Sequence, residues 1–197
     1  MSTIEEKRKF EMEWWNTSGS KTEDVYKKQF DFFCDDHLRN SDSVLEIGSG
    51  PFYGLVKLLD ASYREVVDPL FNEYVKLPYF KKDENIKINS CQIENFDTRR
   101  KFDSIIAINV LDHEDLNWSI LNKLVGLLDF CGRMYISVHL RNKNQLNVGH
   151  DHAIDVGEFP KKLEELNLTV INFNIHDRDP FEKSKYKTLT ATVCLDS

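Results

Sequence analysis

No run of apolar residues in this sequence approaches the ~20 that a membrane-spanning helix needs. Residues 1–9 are largely charged and contain no apolar segment of the secretory type, so no export signal is expected. Cysteine is sparse: Cys34, Cys91, Cys131 and Cys194 are scattered and form no CxxC pair. That spacing argues against a disulfide framework or a zinc ribbon and fits reduced thiols in a cytoplasmic protein. Basic residues do not predominate: 26 Lys and Arg against 33 Asp and Glu leave a net charge of -7. A general nucleic-acid binder normally carries a basic face, so that class is disfavoured. Internal repeats, low-complexity tracts and Gly/Ser linkers are absent, and the 197 residues are read as one domain. Residues 1–40 would be a helical cap and 41–197 the core.

What is present is a regular alternation of apolar patterns. Apolar residues at helical spacing from Thr22 to Leu38 predict a helix. Ser43–Ile47 reads as a first strand, Phe52–Leu59 as a helix, Arg64–Val67 as a second strand and Phe71–Leu77 as a helix. Ile86–Asn89 is a weak third strand. Phe102–Asn109 is nearly continuously apolar, as expected of a central strand buried on both faces. Leu116, Ile120, Leu124 and Leu128 form one helical stripe, and Gly132–Val138 is a fifth strand. Asp155 is placed to cap a short helix carrying Phe159, Leu163 and Leu166. Leu168–Ile175 and Thr188–Leu195 then follow with no helix-length segment between them, so they must pair as an antiparallel hairpin. The expected fold is α/β: a doubly wound, mostly parallel seven-stranded sheet with a C-terminal antiparallel hairpin and an N-terminal helical extension.

The strongest local signal is Val44-Leu45-Glu46-Ile47-Gly48-Ser49-Gly50-Pro51-Phe52-Tyr53-Gly54. A strand feeding a glycine turn builds a nucleotide-type pocket at the carboxyl edge of a parallel sheet. The spacing Gly48-x-Gly50-x-x-x-Gly54 departs from the dinucleotide G-x-G-x-x-G, and Glu46 stands two residues before the first glycine. A pyrophosphate would be repelled by that carboxylate, whereas a cationic ligand with a free amino group would not.

Four ordered features carry a family resemblance: Leu45–Pro51 followed by Gly54; Val66-Val67-Asp68-Pro69; Phe102–His113; and Leu128-x-x-x-Gly132-Arg133-Met134-Tyr135-Ile136-Ser137-Val138. With the terminal hairpin, the chain resembles the class I S-adenosylmethionine-dependent methyltransferases over roughly residues 40–197. The resemblance implies S-adenosylmethionine as cofactor, with Gly48, Ser49 and Gly50 turning close to its methionyl part and Glu46 balancing its ammonium. Asp68 is expected to accept from both ribose hydroxyls, as a carboxylate can, with Pro69 and Leu70 as an adenine floor. Gln92 is the expected partner of the adenine edge, Ile93 an adenine wall or plain core, and Asn109 lies beside the methyl group. Gly54 is assigned to helix–sheet packing.

The chain lacks the Asn/Asp-Pro-Pro-aromatic tetrapeptide of many amino-group methyltransferases, which disfavours nucleobase and glutamine acceptors. His113, His139, His150 and His152 follow the fourth and fifth strands, so they are expected at the mouth of the pocket opposite the methyl group, where an imidazole suits general-base work on a hydroxyl. His139 and His150 are favoured over His113. Solvation in a loop and metal chelation are the other readings of these histidines. The metal-dependent catechol-type enzymes use a carboxylate-rich set that resembles this chain poorly, so no metal is expected. Trp14 and Trp15 either lid the pocket or dock a helix. The reading adopted is methyl transfer to a small-molecule or sugar oxygen or nitrogen. The alternatives are a protein or tRNA methyltransferase, or a catalytically idle S-adenosylmethionine-binding module.

Overall fold

The apolar runs become the central strands of one seven-stranded sheet. In a computed structural model, residues 3–17, 23–113, 118–148, 150, 153–181 and 185–195 are described. The strands are β1 (Ser43–Ile47), β2 (Tyr63–Val67), β3 (Lys87–Asn89), β4 (Phe102–Ile108), β5 (Leu128–Leu140), β6 (Leu168–His176) and β7 (Lys187–Leu195). Their order is β3-β2-β1-β4-β5-β7-β6. Pairing is parallel from β3 through β5, and β7 is antiparallel to both β5 and β6. Six strands therefore run one way, and the turn joining β6 to β7 comes back to the carboxyl edge of the sheet.

Strand alternation sorts side chains onto two cores. Leu45, Ile47, Ile105, Met134 and Ile136 face α5 (Ser119–Leu127) and α6 (Phe159–Glu165). Val44, Val66, Ile106 and Tyr135 face the other way, against Trp15, Phe33, Leu38, Tyr53 and Phe71. That second face is covered by α1 (Ile4–Thr17), α2 (Glu23–Phe33), α3 (Asp36–Arg39) and α4 (Phe71–Tyr74).

Three expected elements differ. The helix over 22–38 is divided into α2 and α3 at Asp35, whose Oδ1 accepts from the Leu38 amide at 2.8 Å as an N-cap. The same carboxylate accepts from Tyr135 Oη at 2.7 Å and Arg133 Nη1 at 2.8 Å, which ties the break to β5. The helix over 52–59 is replaced by two 3-10 turns, Gly50–Phe52 and Val56–Leu58. Gly50, Tyr53 and Gly54 all have positive φ, which a right-handed helix does not accommodate. The Phe71–Leu77 helix closes early as α4, with single turns continuing to Leu77. Leu116 of the expected stripe lies outside the described residues, and Leu128 belongs to β5.

The strand order reverses between β1 and β4, where Ile47 pairs with Ala107. Diverging connections leave a crevice at such a point. No helix among the described residues is long and apolar enough to cross a membrane.

Candidate active site

The crevice begins at the glycine turn. Gly48 and Gly50 have φ of +62° and +63°, backbone that L side chains rarely adopt. A Cβ at Gly48 would strike Val110 of the β4 connection, and one at Gly50 would strike the Trp15 ring and the Tyr26 hydroxyl. The turn is therefore closely covered on both sides. Gly54 has a different role from the expected helix–sheet packing: the space above its Cα holds the carboxylate of Glu46. That carboxylate accepts from the Val56 amide at 2.8 Å and also from Leu55. Burial outweighs these bonds and pushes the Glu46 carboxyl up to about 8. Asp68 accepts from the Gly50 amide at 3.0 Å and the Leu70 amide at 2.9 Å, and burial raises it to about 6.

These groups open onto a cavity of about 480 Å³. Glu46, Gly48, Gly50, Asp68, Pro69, Gln92, Ile93 and Asn109, all singled out in the sequence, line this cavity. Ser49 is not among the lining residues. Its hydroxyl turns to the Gly50 carbonyl and its own carbonyl accepts from Tyr26 Oη at 3.2 Å, so the residue belongs to the underside of the turn. Asn109 leaves β4 at φ +53°, and its buried Oδ1 has no hydrogen-bond partner. The roof is the N-terminal pair of helices, with Glu11, Trp14 and Trp15 from α1 and Tyr26 and Gln29 from α2. Trp15 is the buried member of the tryptophan pair, at 7% exposure, and packs edge-on against Phe52 and Tyr74. Glu11 is held above the usual carboxylate range, burial outweighing the attraction of His113.

The far end of the cavity is a set of histidines, two of them hydrogen-bonded to carboxylates. His113, His139 and His150 all line it; His152 lies outside the described residues. His139 Nε2 is 2.7 Å from Asp179 Oδ2. Asp179 is fixed in turn by the Phe181 amide at 2.7 Å and the Thr188 hydroxyl at 3.3 Å. An ionised carboxylate only accepts, so Nε2 is the donor in this bond. His139 Nδ1 is buried and has no hydrogen-bond partner. His150 Nδ1 makes a similar bond of 2.8 Å to Asp112 Oδ2. Asp112 is held below the usual carboxylate range despite its burial, by the His150 hydrogen bond and by the charges of His113 and His150. His113 is pushed down by burial, its ring 4.1 Å from that of His150.

Asp112, Arg141, Asp179 and Tyr186 had no role in the sequence reading. Arg141 stacks on the Tyr186 ring at 4.0 Å and reaches Asp112 Oδ2 through Nε at 3.5 Å. Asp179 and Tyr186 come from the β6–β7 turn, about forty residues downstream of His139, and no local motif marks them. Arg141 had a weak signal, two residues beyond His139 and so on the same side of the chain as it leaves β5. Asp112, His113 and His150 also offer ligand atoms within 4.8 Å of one another, enough to hold a cation. Oδ2 of Asp112, however, is already shared by His150 and the Arg141 guanidinium.

No protein-family model matches the chain, and no curated protein matches its sequence. Solved structures do match. The N-methyltransferase NodS from Bradyrhizobium japonicum WM9, in complex with S-adenosylhomocysteine, superposes with a TM-score of 0.70 over 98% of this chain and 99% of its own, at 17% identity. The fold is that of the class I methyltransferases. A second chain with this methyltransferase fold is the Burkholderia thailandensis 1,6-didemethyltoxoflavin N1-methyltransferase: TM-score 0.70, 18% identity, 98% of this chain and 88% of that one. A third is the magnesium protoporphyrin IX methyltransferase of Synechocystis PCC 6803: TM-score 0.66, 12% identity, 96% of this chain and 100% of that one.

Proposed function

We propose that the protein is an S-adenosylmethionine-dependent methyltransferase acting on a small-molecule hydroxyl, with His139 as the base. The observation that carries this is the unpartnered, carboxylate-held imidazole of His139 in the same cavity as the glycine turn.

The residues present fit the cofactor. Glu46, Asp68 and Glu11 line the cavity; burial raises all three carboxyls, and a cationic ligand gains by drawing them into the ionised form, which a pyrophosphate disfavours. The buried Oδ1 of Asn109 and Oε1 of Gln29 lack donors, and a ligand rich in N–H and O–H groups supplies them. Gly48 and Gly50 would face its methionyl part, Asp68 its ribose, and Gln92 and Ile93 its adenine. When bound, the cofactor supplies a methyl group on a sulfonium, whose sulfur keeps the bonding electron pair and leaves uncharged without needing a proton.

This chain's own residues align the acceptor, exclude water and take one proton. The acceptor's hydroxyl proton passes to Nδ1 of His139, and Asp179 stabilises the imidazolium that forms. Asp179 is thus a positioning residue, and His139 the catalytic one. The Asp112–His150 pair is the second base candidate, and the mechanism requires no metal. A roof of helices over the cavity suits small acceptors better than a protein or tRNA. Cytoplasmic residence accompanies this reading, consistent with four unpaired cysteines.

Calorimetry with S-adenosylhomocysteine, S-adenosylmethionine and NAD tests it. S-adenosylhomocysteine should bind in the micromolar range or tighter and NAD should not. Absence of S-adenosylhomocysteine binding overturns the proposal. Binding without S-adenosylhomocysteine release over a broad acceptor screen would instead identify an idle binding module.

A further inference from the structure

The acceptor end of the cavity contains one side chain whose chemistry the proton-transfer argument leaves unused. Arg141 is 7% exposed and lines the cavity. A guanidinium has five N–H donors and no acceptor. Its hydrogen bond to Asp112, through Nε, is 3.5 Å long, at the outer limit for such a bond. The Tyr186 ring fixes its plane, and Nη1 is buried with no hydrogen-bond partner. A desolvated, unpaired N–H on a permanent cation is costly unless something fills it. Asp112 is an incomplete counterion, because the same oxygen takes the 2.8 Å bond from His150.

Among the described lining residues, Arg141 is the one with a permanent positive charge. One guanidinium among several acids suits a planar monoanion; a phosphate dianion would meet more repulsion than attraction. Position narrows the class further. His139 and Arg141 flank the same Tyr186 ring, the imidazole centroid at 5.6 Å and the guanidinium carbon at 4.0 Å. An anion held by Arg141 therefore lies in the part of the cavity that shares Tyr186 with His139. The cavity of about 480 Å³ must hold cofactor and acceptor together, and single drug-sized ligands commonly occupy roughly 300–1,000 Å³, so the acceptor is small.

We infer that Arg141 selects a small acceptor carrying a carboxylate next to its nucleophilic hydroxyl, an inference that rests on the methyl-transfer reading of this cavity. The carboxylate takes the free edge of the guanidinium, and the adjacent hydroxyl faces His139. Neutral analogues of the same shape leave Arg141 unpaired and bind more weakly.

The test uses the full chain loaded with S-adenosylhomocysteine, titrated calorimetrically with salicylate and lactate and with their amides, salicylamide and lactamide. At least one acid should bind about 10-fold or more tighter than its amide. In Arg141→Gln the acid should lose that advantage while S-adenosylhomocysteine still binds, which also shows that the variant is folded. Arg141→Lys should recover part of the preference, since a point charge replaces a planar fork. Equal binding of acid and amide, no binding of either acid, or an unchanged preference in Arg141→Gln would each overturn the inference. Loss of S-adenosylhomocysteine binding by the unmodified protein would overturn the underlying reading instead, so the two failures are distinct.

Discussion

Gly54 and Glu46 are fitted to each other: the absent side chain of the one is the space filled by the carboxylate of the other. The third glycine of the motif thus serves the acid that begins it. Gly54→Ala combines an overlap with a buried carboxylate and a residue at φ +56°, and should destabilise the protein by ~2–4 kcal/mol. Urea unfolding measures this, and a double-mutant cycle with Glu46→Ala should show positive coupling because the smaller side chain vacates the space. Additive effects would remove the proposed fit.

The His139–Asp179 pair separates catalysis from cofactor binding. His139→Ala should lower turnover by ~10²–10⁴-fold with S-adenosylhomocysteine affinity nearly constant. Asp179→Asn keeps the volume but removes the charge that holds the tautomer, so kcat should fall while the acceptor KM changes little. Full activity in both variants would mean an acceptor that needs no base at this position.

Glu46 makes the pH dependence of stability unusual. Its carboxyl is raised from 4.5 to about 8 in the folded protein, so the native state holds a proton that the unfolded chain has released. Between those values the native state binds more protons than the unfolded one, and stability falls as pH rises. Asp68, raised to about 6, acts in the same direction. His113, lowered by burial, opposes them below its ordinary pKa. Glu46→Gln should therefore gain in melting temperature relative to the unmodified protein as pH goes from 5 to 8. A constant difference across that range would show that Glu46 titrates normally.

Trp15 supplies a spectroscopic check. Its ring lies against Gly50, and its carbonyl accepts from Tyr79 Oη at 2.6 Å. Ligand entering beside Gly50 should change Trp15 emission, and Trp15→Phe should lose most of that change while Trp14→Phe retains it. Equal responses from the two variants would place the ligand away from the turn.

The strands were legible because burial on both faces leaves an unmistakable apolar run, as in Phe102–Ile108. The glycine end of the cavity was legible for a related reason: Glu46, Gly48, Gly50, Asp68 and Asn109 all sit at or just beyond strand ends, where chain order alone predicts convergence. The 52–59 segment was misread because its apolar spacing is helical while Tyr53 and Gly54 adopt left-handed backbone. Half of each histidine–carboxylate pair was hidden. His139 and His150 are conspicuous as residue types, but Asp179 and Asp112, like Arg141, acquire meaning only through contacts made in three dimensions.

The position of β7 between β5 and β6 brings the 177–186 turn back beside the end of β5. That turn contributes Asp179 and Tyr186 to the acceptor end, and none of the residues that line the glycine end. On the proposed reading the hairpin sets acceptor choice, and grafting its turn between proteins of the same fold should alter the acceptor while leaving S-adenosylhomocysteine affinity unchanged.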